Sequence, residues 1–265
     1  MNLPIRKTVC VTGATGAIGK AIVKNIAMDH AYEVLMTARD EKKAIQTRDE
    51  LIEITGNQKI KYQIVDLSDK ESISNFAENY SGALYALVNN AASTPRKKLV
   101  NSTGIEMQFA TNVLGYFWMT KAFEKHLLKE VPSRIINVAS YWAGGLNLDD
   151  LEFIHRPYNN DDAYRQSKQA NRMLTVAFAE RLTPKGITVF SCYPGDVNSN
   201  LSNDLGFGGH NTPDEGAETP VWLVTTPLEL LNSGKYYAHR REERCQFSSD
   251  HKSIEKLYAI CESYS

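Results

Sequence analysis

The sequence has few cysteines, no excess of charge of either sign and no long apolar run. Its 265 residues carry 30 Lys and Arg against 31 Asp and Glu, for a formal net charge of −1. This balance argues against nucleic acid and anionic membranes as partners, because both attract strongly basic proteins. No apolar run approaches the ~20 residues of a membrane-spanning helix, and Met1–Lys7 is too short for a signal peptide. We therefore expect a soluble cytoplasmic protein without a transmembrane segment.

The four cysteines and six histidines lack the spacing of a disulfide framework or of a metal site. Cys10 and Cys192 lie inside short apolar runs, where a free thiol behaves as a small buried hydrophobic group. Cys245 and Cys261 lie in the C-terminal tail, without the CxxC or Cys/His spacing of metal ligands. We expect no metal, and a chain of this length buries enough surface to fold without disulfides or a bound metal.

Short apolar runs alternate with longer amphipathic segments along the chain. The runs are rich in Val and Ile and uncharged at their centres, which is typical of parallel strands buried on both faces. The predicted strands are Thr8–Thr12, Glu33–Ala38, Ile60–Val65, Leu84–Asn89, Arg134–Ala139 and Ile187–Tyr193. The predicted helices are Ile18–Met28, Glu41–Ile54, Lys70–Tyr80, Ile105–Glu130 and Ala163–Leu182. This alternation predicts an α/β fold with a doubly wound parallel sheet of Rossmann type.

We predict a single domain over residues 1–265, with a cofactor half at about 1–140 and a catalytic and substrate half at about 141–265. Two segments interrupt the alternation: the polar insertion Gly144–Asp162, and Ser199–Gly216, which is rich in Gly, Asn and Asp. Both follow predicted strands, where ligands bind in this architecture, and loops of this length are commonly functional. We predict that residues 199–216 form a mobile substrate lid, and a static surface loop is the alternative.

A glycine-rich turn, Thr12-Gly13-Ala14-Thr15-Gly16-Ala17-Ile18-Gly19, follows the first predicted strand and opens the first predicted helix. A pyrophosphate must approach backbone N–H groups and a helix N-terminus, and a Cβ atom would block that approach. The turn therefore favours dinucleotide binding, with an ordinary glycine-rich connection as the alternative.

Tyr164 and Lys168 stand four residues apart, which places them on one face of a predicted helix. A free tyrosine has a pKa of ~10, too high for a base at neutral pH, and a nearby ammonium group lowers that pKa. Ser140 follows the strand predicted at Arg134–Ala139, so its hydroxyl can polarise a substrate carbonyl at the edge of the sheet. A surface Tyr/Lys pair is the alternative for these two residues alone. Together with the glycine turn and the serine, they predict a catalytic site.

Taken together, these motifs resemble those of the short-chain dehydrogenase/reductase family over essentially the whole chain. The further matches are Asp66-Leu67, Asn89-Asn90-Ala91, Asn112 and Pro194-Gly195, each in the expected order. Within the family, the chain most resembles the retinol-dehydrogenase-like group. The features carrying that likeness are Asn112–Phe117, the long spacing from Ser140 to Tyr164, Ser167–Asn171 and Ser233–Tyr237.

The resemblance implies an enzyme that interconverts a carbonyl, in an aldehyde or ketone, and an alcohol by direct hydride transfer. It implies that Tyr164 is the acid/base, that Lys168 lowers the tyrosine pKa and holds the nicotinamide ribose, and that Ser140 orients the substrate oxygen. Asn112 would hold a water that links Lys168 to solvent. The implied cofactor-binding residues are Gly13, Thr15, Gly16, Ala17, Ile18, Gly19, Arg39, Asp66, Leu67, Asn90, Ala91, Tyr164, Lys168, Pro194, Gly195, Val197 and Ser199.

The end of the second predicted strand favours NADP as the cofactor, with NAD as the alternative. An NAD-binding protein typically has an acidic residue there for the ribose hydroxyls, and this chain has Ala38. The adjacent Arg39 offers a planar bidentate donor for a 2′-phosphate, and Thr15 adds a hydroxyl. Asp40 is the counter-argument because it can pair with Arg39, but an exposed pair is worth only ~0–1 kcal/mol. NADP in turn suggests reduction as the working direction.

Three positions depart from the pattern of the family. Ala17 stands where a second glycine is usual, and Gly16 precedes it, as in the extended branch with its epimerases, dehydratases and reductases. Those enzymes use the same Tyr-Lys pair but usually carry a larger C-terminal domain than this chain has room for. Ala92 replaces a common glycine, and Ser199 replaces a common threonine. The extended type stays an alternative, as does a non-catalytic dinucleotide-sensing module, although such a sensor would be expected to lose Tyr164 and Lys168.

The loops around Trp142, Tyr193 and Ser199–Gly216 are expected to shape the pocket for a small-molecule carbonyl or alcohol. Trp142 is equally compatible with a place in the core, since large aromatic side chains are often buried. The low apolar content of residues 199–216 favours a substrate smaller or more polar than a retinoid. The sequence is also compatible with a homo-oligomer.

Overall fold

The computed structural model of the protein describes residues 7–265, which form one eight-stranded sheet flanked by helices. The strands are β1 (Lys7–Val11), β2 (Tyr32–Ala38), β3 (Ile60–Ile64), β4 (Ala86–Asn89), β5 (Ser133–Val138), β6 (Ile187–Cys192), β7 (Tyr236–Ala238) and β8 (Arg241–Glu243). Their order across the sheet is β3-β2-β1-β4-β5-β6-β7-β8. Strands β1 to β7 are parallel, and β8 pairs antiparallel with β7. This is the predicted doubly wound Rossmann-type sheet.

The helices lie on the two faces of the sheet. They are α1 (Ala17–Ala27), α2 (Glu41–Thr55), α3 (Lys70–Asn79), α4 (Gly115–Leu127), α5 (Asn160–Leu182), α6 (Asn200–Asp204), α7 (Pro213–Thr225) and α8 (His251–Ser263). A π-helical turn, Phe109–Leu114, leads into α4. Within residues 7–265, no helix has the length and apolar content needed to cross a membrane.

Alternate residues of the central strands face two separate hydrophobic cores. Cys10 of β1 belongs to the core that contains Phe117 of α4 and Phe178 of α5. Its neighbours Val9 and Val11 belong to the core on the opposite face, with side chains of α1 and α7. Because both faces are buried, these strands appear in the sequence as continuous apolar runs.

The six predicted strands are confirmed as β1 to β6, with ends displaced by one or two residues. The helix predicted over Ile105–Glu130 divides into the π-helical turn, α4 and a 3₁₀ turn at Leu128–Glu130. Strands β7 and β8 were not predicted, because three residues each are too few for a recognisable pattern. Segment 199–216, which was predicted as a loop, holds α6 and the first turn of α7, so it is helical in part.

The topology brings the predicted site residues to one edge of the sheet. The strand order reverses between β1 and β4, and ligands bind beyond the carboxyl ends of strands at such a point. The glycine turn follows β1, Asn90 follows β4, Ser140 follows β5 and Pro194 follows β6. Helix α5 lies across the same edge and carries Tyr164.

Candidate active site

The glycine turn is locked to the end of β4. Gly13 has φ +63°, and a Cβ atom there would lie 2.8 Å from the Cα atom of Ala91. The Thr12 hydroxyl accepts the backbone N–H groups of Asn90 at 2.8 Å and of Ala91 at 3.1 Å. The Asn90 side-chain amide donates to the Thr12 carbonyl at 2.9 Å. A Cβ atom at Gly19 would lie 2.3 Å from the Gly13 carbonyl oxygen, so no larger residue fits there.

The outer side of this turn fits a pyrophosphate group. Gly16 is the N-cap of α1 and contributes no capping side chain. A Cβ atom at Gly16 would meet no atom closer than the Gly13 carbonyl oxygen, at 3.4 Å. The first N–H groups of the helix and its dipole therefore face a space that an anion can enter. Thr15 lies in the turn itself, Ala17 and Ile18 begin α1, and their contact with the cofactor stays a prediction.

The end of β2 carries an unpaired cation. Arg39 is exposed and forms no ion pair or hydrogen bond with any residue of the described range 7–265. Asp40 caps α2, and its carboxylate accepts the backbone N–H of Lys43 at 2.9 Å. The pairing of Asp40 with Arg39, which was the argument against NADP, is therefore absent from this part of the chain. Ala38 is buried and brings no carboxylate to the site.

The loop after β3 contributes Asp66 and Leu67. The Asp66 carboxylate accepts the backbone N–H of Ser68 at 2.9 Å and its hydroxyl at 2.7 Å. Leu67 is buried in the core on the side of α4. Asp66 is thus fixed at the same sheet edge as the glycine turn.

Tyr164 and Lys168 are both buried on α5, facing the carboxyl end of β5. The Lys168 ammonium donates to the Val138 carbonyl at 3.0 Å and lies 5.7 Å from the centre of the Tyr164 ring. Burial raises the pKa of Tyr164 to about 12, and a hydrogen bond with Ser140 offsets part of that rise. Burial lowers the pKa of Lys168 to about 7. In the polypeptide alone, desolvation therefore dominates the pKa of Tyr164, and the contribution that lowers it comes from Ser140 and not from Lys168 as predicted.

Ser140 lies just beyond the last residue of β5, within reach of Tyr164. Its hydroxyl oxygen accepts the backbone N–H of Trp142 at 3.1 Å. The same hydroxyl is the hydrogen-bond partner that favours the ionised form of Tyr164. The structure thus brings together the serine and the tyrosine that the sequence singled out.

Asn112 lies in the π-helical turn before α4, a kind of helix defect that is frequent at functional sites. Its side-chain oxygen accepts the Ser93 N–H at 2.8 Å, and its amide donates to the Ser93 carbonyl at 3.0 Å. The amide also lies 3.3 Å from the Ser167 hydroxyl of α5. Asn112 therefore joins the loop after β4 to the helix that carries Tyr164. Among the described residues, it makes no direct hydrogen bond to Lys168.

A cavity of about 540 Å³ opens beside Tyr164 and Ser140. Trp142 lines it, with its ring centre 6.1 Å from that of Tyr164 and 5.8 Å from that of Phe207, edge to face. Trp142 is therefore a pocket residue and not a core residue. The predicted cofactor residues that share this lining are Ile18, Pro194, Gly195, Val197 and Ser199.

The lining of the cavity is more apolar than the composition of segment 199–216 suggests, and the choice of a substrate smaller or more polar than a retinoid stays a prediction. Leu201, Leu205 and Phe207, which carry most of the apolar surface of segment 199–216, all face the cavity, as do Tyr141 and Tyr193. The segment has few apolar residues, but the fold directs them to one side. The spacing of Leu201 and Leu205, one helical turn apart, is the signal that sequence reasoning missed.

Segment 199–216 is held by bonds within itself and by ties to its surroundings, such as the ion pair of Asp214 with Lys24 of α1 at 2.6 Å. Ser199 caps α6 through a capping box with Ser202, and Thr212 caps α7 through another with Glu215. The glycines between the two helices, Gly206, Gly208 and Gly209, have φ of +84°, +74° and +71°. The polar insertion 144–162 is fastened to α5: Gln166 donates to the Leu151 carbonyl at 2.7 Å.

Comparison with known proteins agrees with this geometry. The family model described as short chain dehydrogenase matches residues 7–206. Human retinol dehydrogenase 11 is 34% identical over 88% of this chain and 77% of its own length. Human dehydrogenase/reductase SDR family member 12 is 31% identical, over 95% of this chain and 84% of its own.

Solved structures share the fold. An uncharacterized protein from Mycobacterium paratuberculosis, 27% identical, superposes with a TM-score of 0.82 over 99% of this chain and 95% of that chain. A short chain dehydrogenase from Burkholderia cenocepacia in complex with NADP, 22% identical, gives a TM-score of 0.70 over 89% and 97%. The chain therefore belongs to the short-chain dehydrogenase/reductase family, in its retinol-dehydrogenase-like group, and is an NAD(P)-dependent oxidoreductase.

Proposed function

We propose that this enzyme is an NADPH-dependent carbonyl reductase, which converts an aldehyde or ketone to an alcohol with Tyr164 as the proton donor. The observation that carries the proposal is the position of Tyr164, which is buried and lines an apolar cavity together with Ser140 and Ile18 of the first helix. A substrate carbonyl in that cavity would meet two hydroxyl groups, one from Tyr164 and one from Ser140.

Each residue of the site has a separate role in the proposed reaction. Bound NADPH would supply the hydride, which passes directly to the carbonyl carbon. The Ser140 hydroxyl would orient the carbonyl oxygen, and Tyr164 would donate its proton to that oxygen. Tyr164 is protonated at neutral pH, as a proton donor must be, and the Ser140 hydroxyl opposes the rise in its pKa that burial causes. Lys168 would hold the nicotinamide ribose, and Asn112 would keep α5 in register with the loop after β4.

The cofactor side of the proposal depends on Arg39. Its unpaired guanidinium matches the 2′-phosphate of NADP, and the carboxylate that would hold the ribose of NAD is missing at Ala38. Asp66 and Leu67 would line the adenine end, while Asn90 and Ala91 would hold the glycine turn. Val197, Ser199 and the Pro194-Gly195 turn would bound the nicotinamide end. NADP thus stays our preferred cofactor, and reduction our preferred direction.

The direct test supplies the purified enzyme with NADPH or NADH and a panel of aldehydes and ketones, and follows cofactor absorbance and the product. We expect consumption of NADPH and formation of the corresponding alcohol. An enzyme that consumes neither cofactor with any carbonyl, or that releases an epimer or a dehydrated product, contradicts the proposal. The cytoplasmic location and the homo-oligomer stay predictions, for fractionation and size-exclusion chromatography to test.

A further inference from the structure

Arg172 of α5 is a buried cation for which the reaction described above has no use. Its side chain is 6% exposed and forms no ion pair within residues 7–265. Two aromatic rings support its charge instead, those of Tyr236 at 3.7 Å and of Phe247 at 5.7 Å. Burying an unpaired charge costs free energy that a Met or Leu of similar size would not. An arginine at this place therefore calls for a role besides packing.

The one hydrogen bond that its guanidinium makes in the described chain leads to the active site. The terminal nitrogen Nη2 of Arg172 donates to the backbone carbonyl of Ser140. The ladder between β5 and β6 ends just before that point, with the Ala139 N–H donating to the Cys192 carbonyl at 2.8 Å. The Ser140 carbonyl thus lies beyond the sheet, and no other donor of residues 7–265 reaches it.

We infer that Arg172 is a positioning residue, which fixes Ser140 so that its hydroxyl meets the substrate oxygen and the Tyr164 phenol. The inference rests on the proposed function. The guanidinium acts through the backbone of Ser140 and touches neither substrate nor cofactor. A shift of about 1 Å in a catalytic group costs on the order of 100-fold in rate, so this single bond can control turnover while leaving cofactor binding intact.

The other end of β5 offers a matched control. Arg134 is also a buried guanidinium, 3% exposed and without an ion pair in the described residues. It donates to the carbonyls of Leu223 at 2.7 Å and Thr226 at 2.8 Å, and lies 4.9 Å from the Tyr85 ring centre. Like Arg172, Arg134 is a buried arginine that donates to backbone carbonyls and lies beside an aromatic ring, but it lies at the amino edge of the sheet, away from Tyr164.

The experiment compares Arg172→Met, Arg172→Lys and Arg134→Met in the full chain, with NADPH and the best carbonyl substrate of the panel. We expect Arg172→Met to lower kcat about 10- to 100-fold, with the KM for NADPH unchanged within about two-fold. Arg172→Lys should recover part of the loss, because an ammonium can still donate to the Ser140 carbonyl. Arg134→Met should lower the Tm while kcat stays within about two-fold. Hydrogen exchange at residues 139–143 should accelerate in Arg172→Met only.

Several outcomes overturn the inference while leaving the proposed function in place. These are an unchanged kcat in Arg172→Met, an equal loss of kcat in Arg134→Met, and unchanged exchange at residues 139–143. If Arg172→Met does not fold, Arg172→Lys decides by the same kcat and exchange measurements. A wild-type enzyme without carbonyl reductase activity overturns the proposed function instead, and the exchange comparison then still decides whether Arg172 fixes Ser140.

Discussion

The two sides of the sheet edge are held in different ways. On the cofactor side, the glycine turn is bonded to Asn90, 78 residues away, through Thr12. On the substrate side, the bonds that hold α6 join Ser199 to Ser202, only three residues apart. Movement of the first arrangement breaks contacts between strands, whereas the bonds of the second are short-range. We therefore propose that the glycine turn is the more rigid of the two regions and that α6 is the part that moves.

The largest expected effect comes from removing the proton donor while the surrounding site stays intact. Tyr164→Phe keeps the ring that packs beside Trp142 and removes only the phenolic hydroxyl. Loss of a general acid costs on the order of 10²–10⁴ in rate, so kcat should fall by that range while the Kd for NADPH stays unchanged. Steady-state kinetics and a cofactor titration measure the two. Near-normal turnover would contradict the role of Tyr164.

The difference in rigidity can be tested with two glycines that share a strained backbone. Gly13→Ala should weaken NADPH binding roughly 100-fold, because φ of +63° and the 2.8 Å approach of Ala91 both oppose a Cβ atom. Gly206→Ala has a similar φ of +84°, but nothing lies within 4 Å of the added atom. Its NADPH affinity should change by about two-fold at most. Equal losses of NADPH affinity in the two variants would show that the positive φ alone weakens binding, without a part for the contact with Ala91.

Cofactor choice is the next effect in size. Arg39→Ala should lower the ratio of kcat/KM for NADPH over NADH by about 10-fold or more, since hydrogen bonds to a charged group are worth ~1.5–3 kcal/mol. The loss should lie in NADPH and not in NADH. A parent enzyme that prefers NADH, or a ratio that Arg39→Ala leaves unchanged, means that Ala38 and Arg39 do not select the cofactor.

The buried Lys168 should make the stability of the substrate-free enzyme depend on pH. Burial lowers its pKa to about 7 in the folded protein, against ~10.4 in an unfolded chain. At pH values between these two, the unfolded state binds more protons than the folded state. The free energy of unfolding therefore rises as the pH increases from about 7 to 10 and falls as the pH decreases. Lys168→Met should therefore have the higher Tm near pH ~7, with the gap narrowing toward pH ~10. A gap that is independent of pH would contradict the lowered pKa.

The smallest effect concerns the motion of segment 199–216, which we propose as a substrate lid. Amide exchange in this segment should slow when NADPH and a carbonyl analogue bind together, because a segment with mostly short-range bonds opens at low cost unless a ligand covers it. Exchange at the glycine turn should respond to NADPH alone. Unchanged exchange at residues 199–216 in the ternary complex would make the segment a static wall.

The sequence predicted best what depends on the order of the strands. Gly13, Asn90 and Ser140 lie at one edge of the sheet because parallel strands place their carboxyl ends together, and alternating apolar runs suffice to predict that. The raised pKa of Tyr164 was beyond the same reasoning, because Lys168 is a neighbour along the helix whereas desolvation depends on the whole fold.

Two other features were hidden for related reasons. A charged residue on a helix suggests a solvent face, so Arg172 gave no sign of burial. Its aromatic partner Tyr236 lies on β7, a strand too short to predict. In the sequence, polar residues separate the few apolar residues of segment 199–216 and conceal that they share a direction. The fold of α6 turns Leu201 and Leu205 to the same side.

The unpredicted strand β8 also bears on how the protein behaves at high concentration. An unpaired strand at the border of a sheet is a template on which a second molecule can add its own strand, the first step toward aggregation. Here that border is three residues long and fully charged, with Arg241 and Glu243 paired at 2.6 Å. The opposite border, β3, presents the exposed Lys61. An incoming strand would have to desolvate charges at either border. This cost opposes the strand addition with which fibre formation begins.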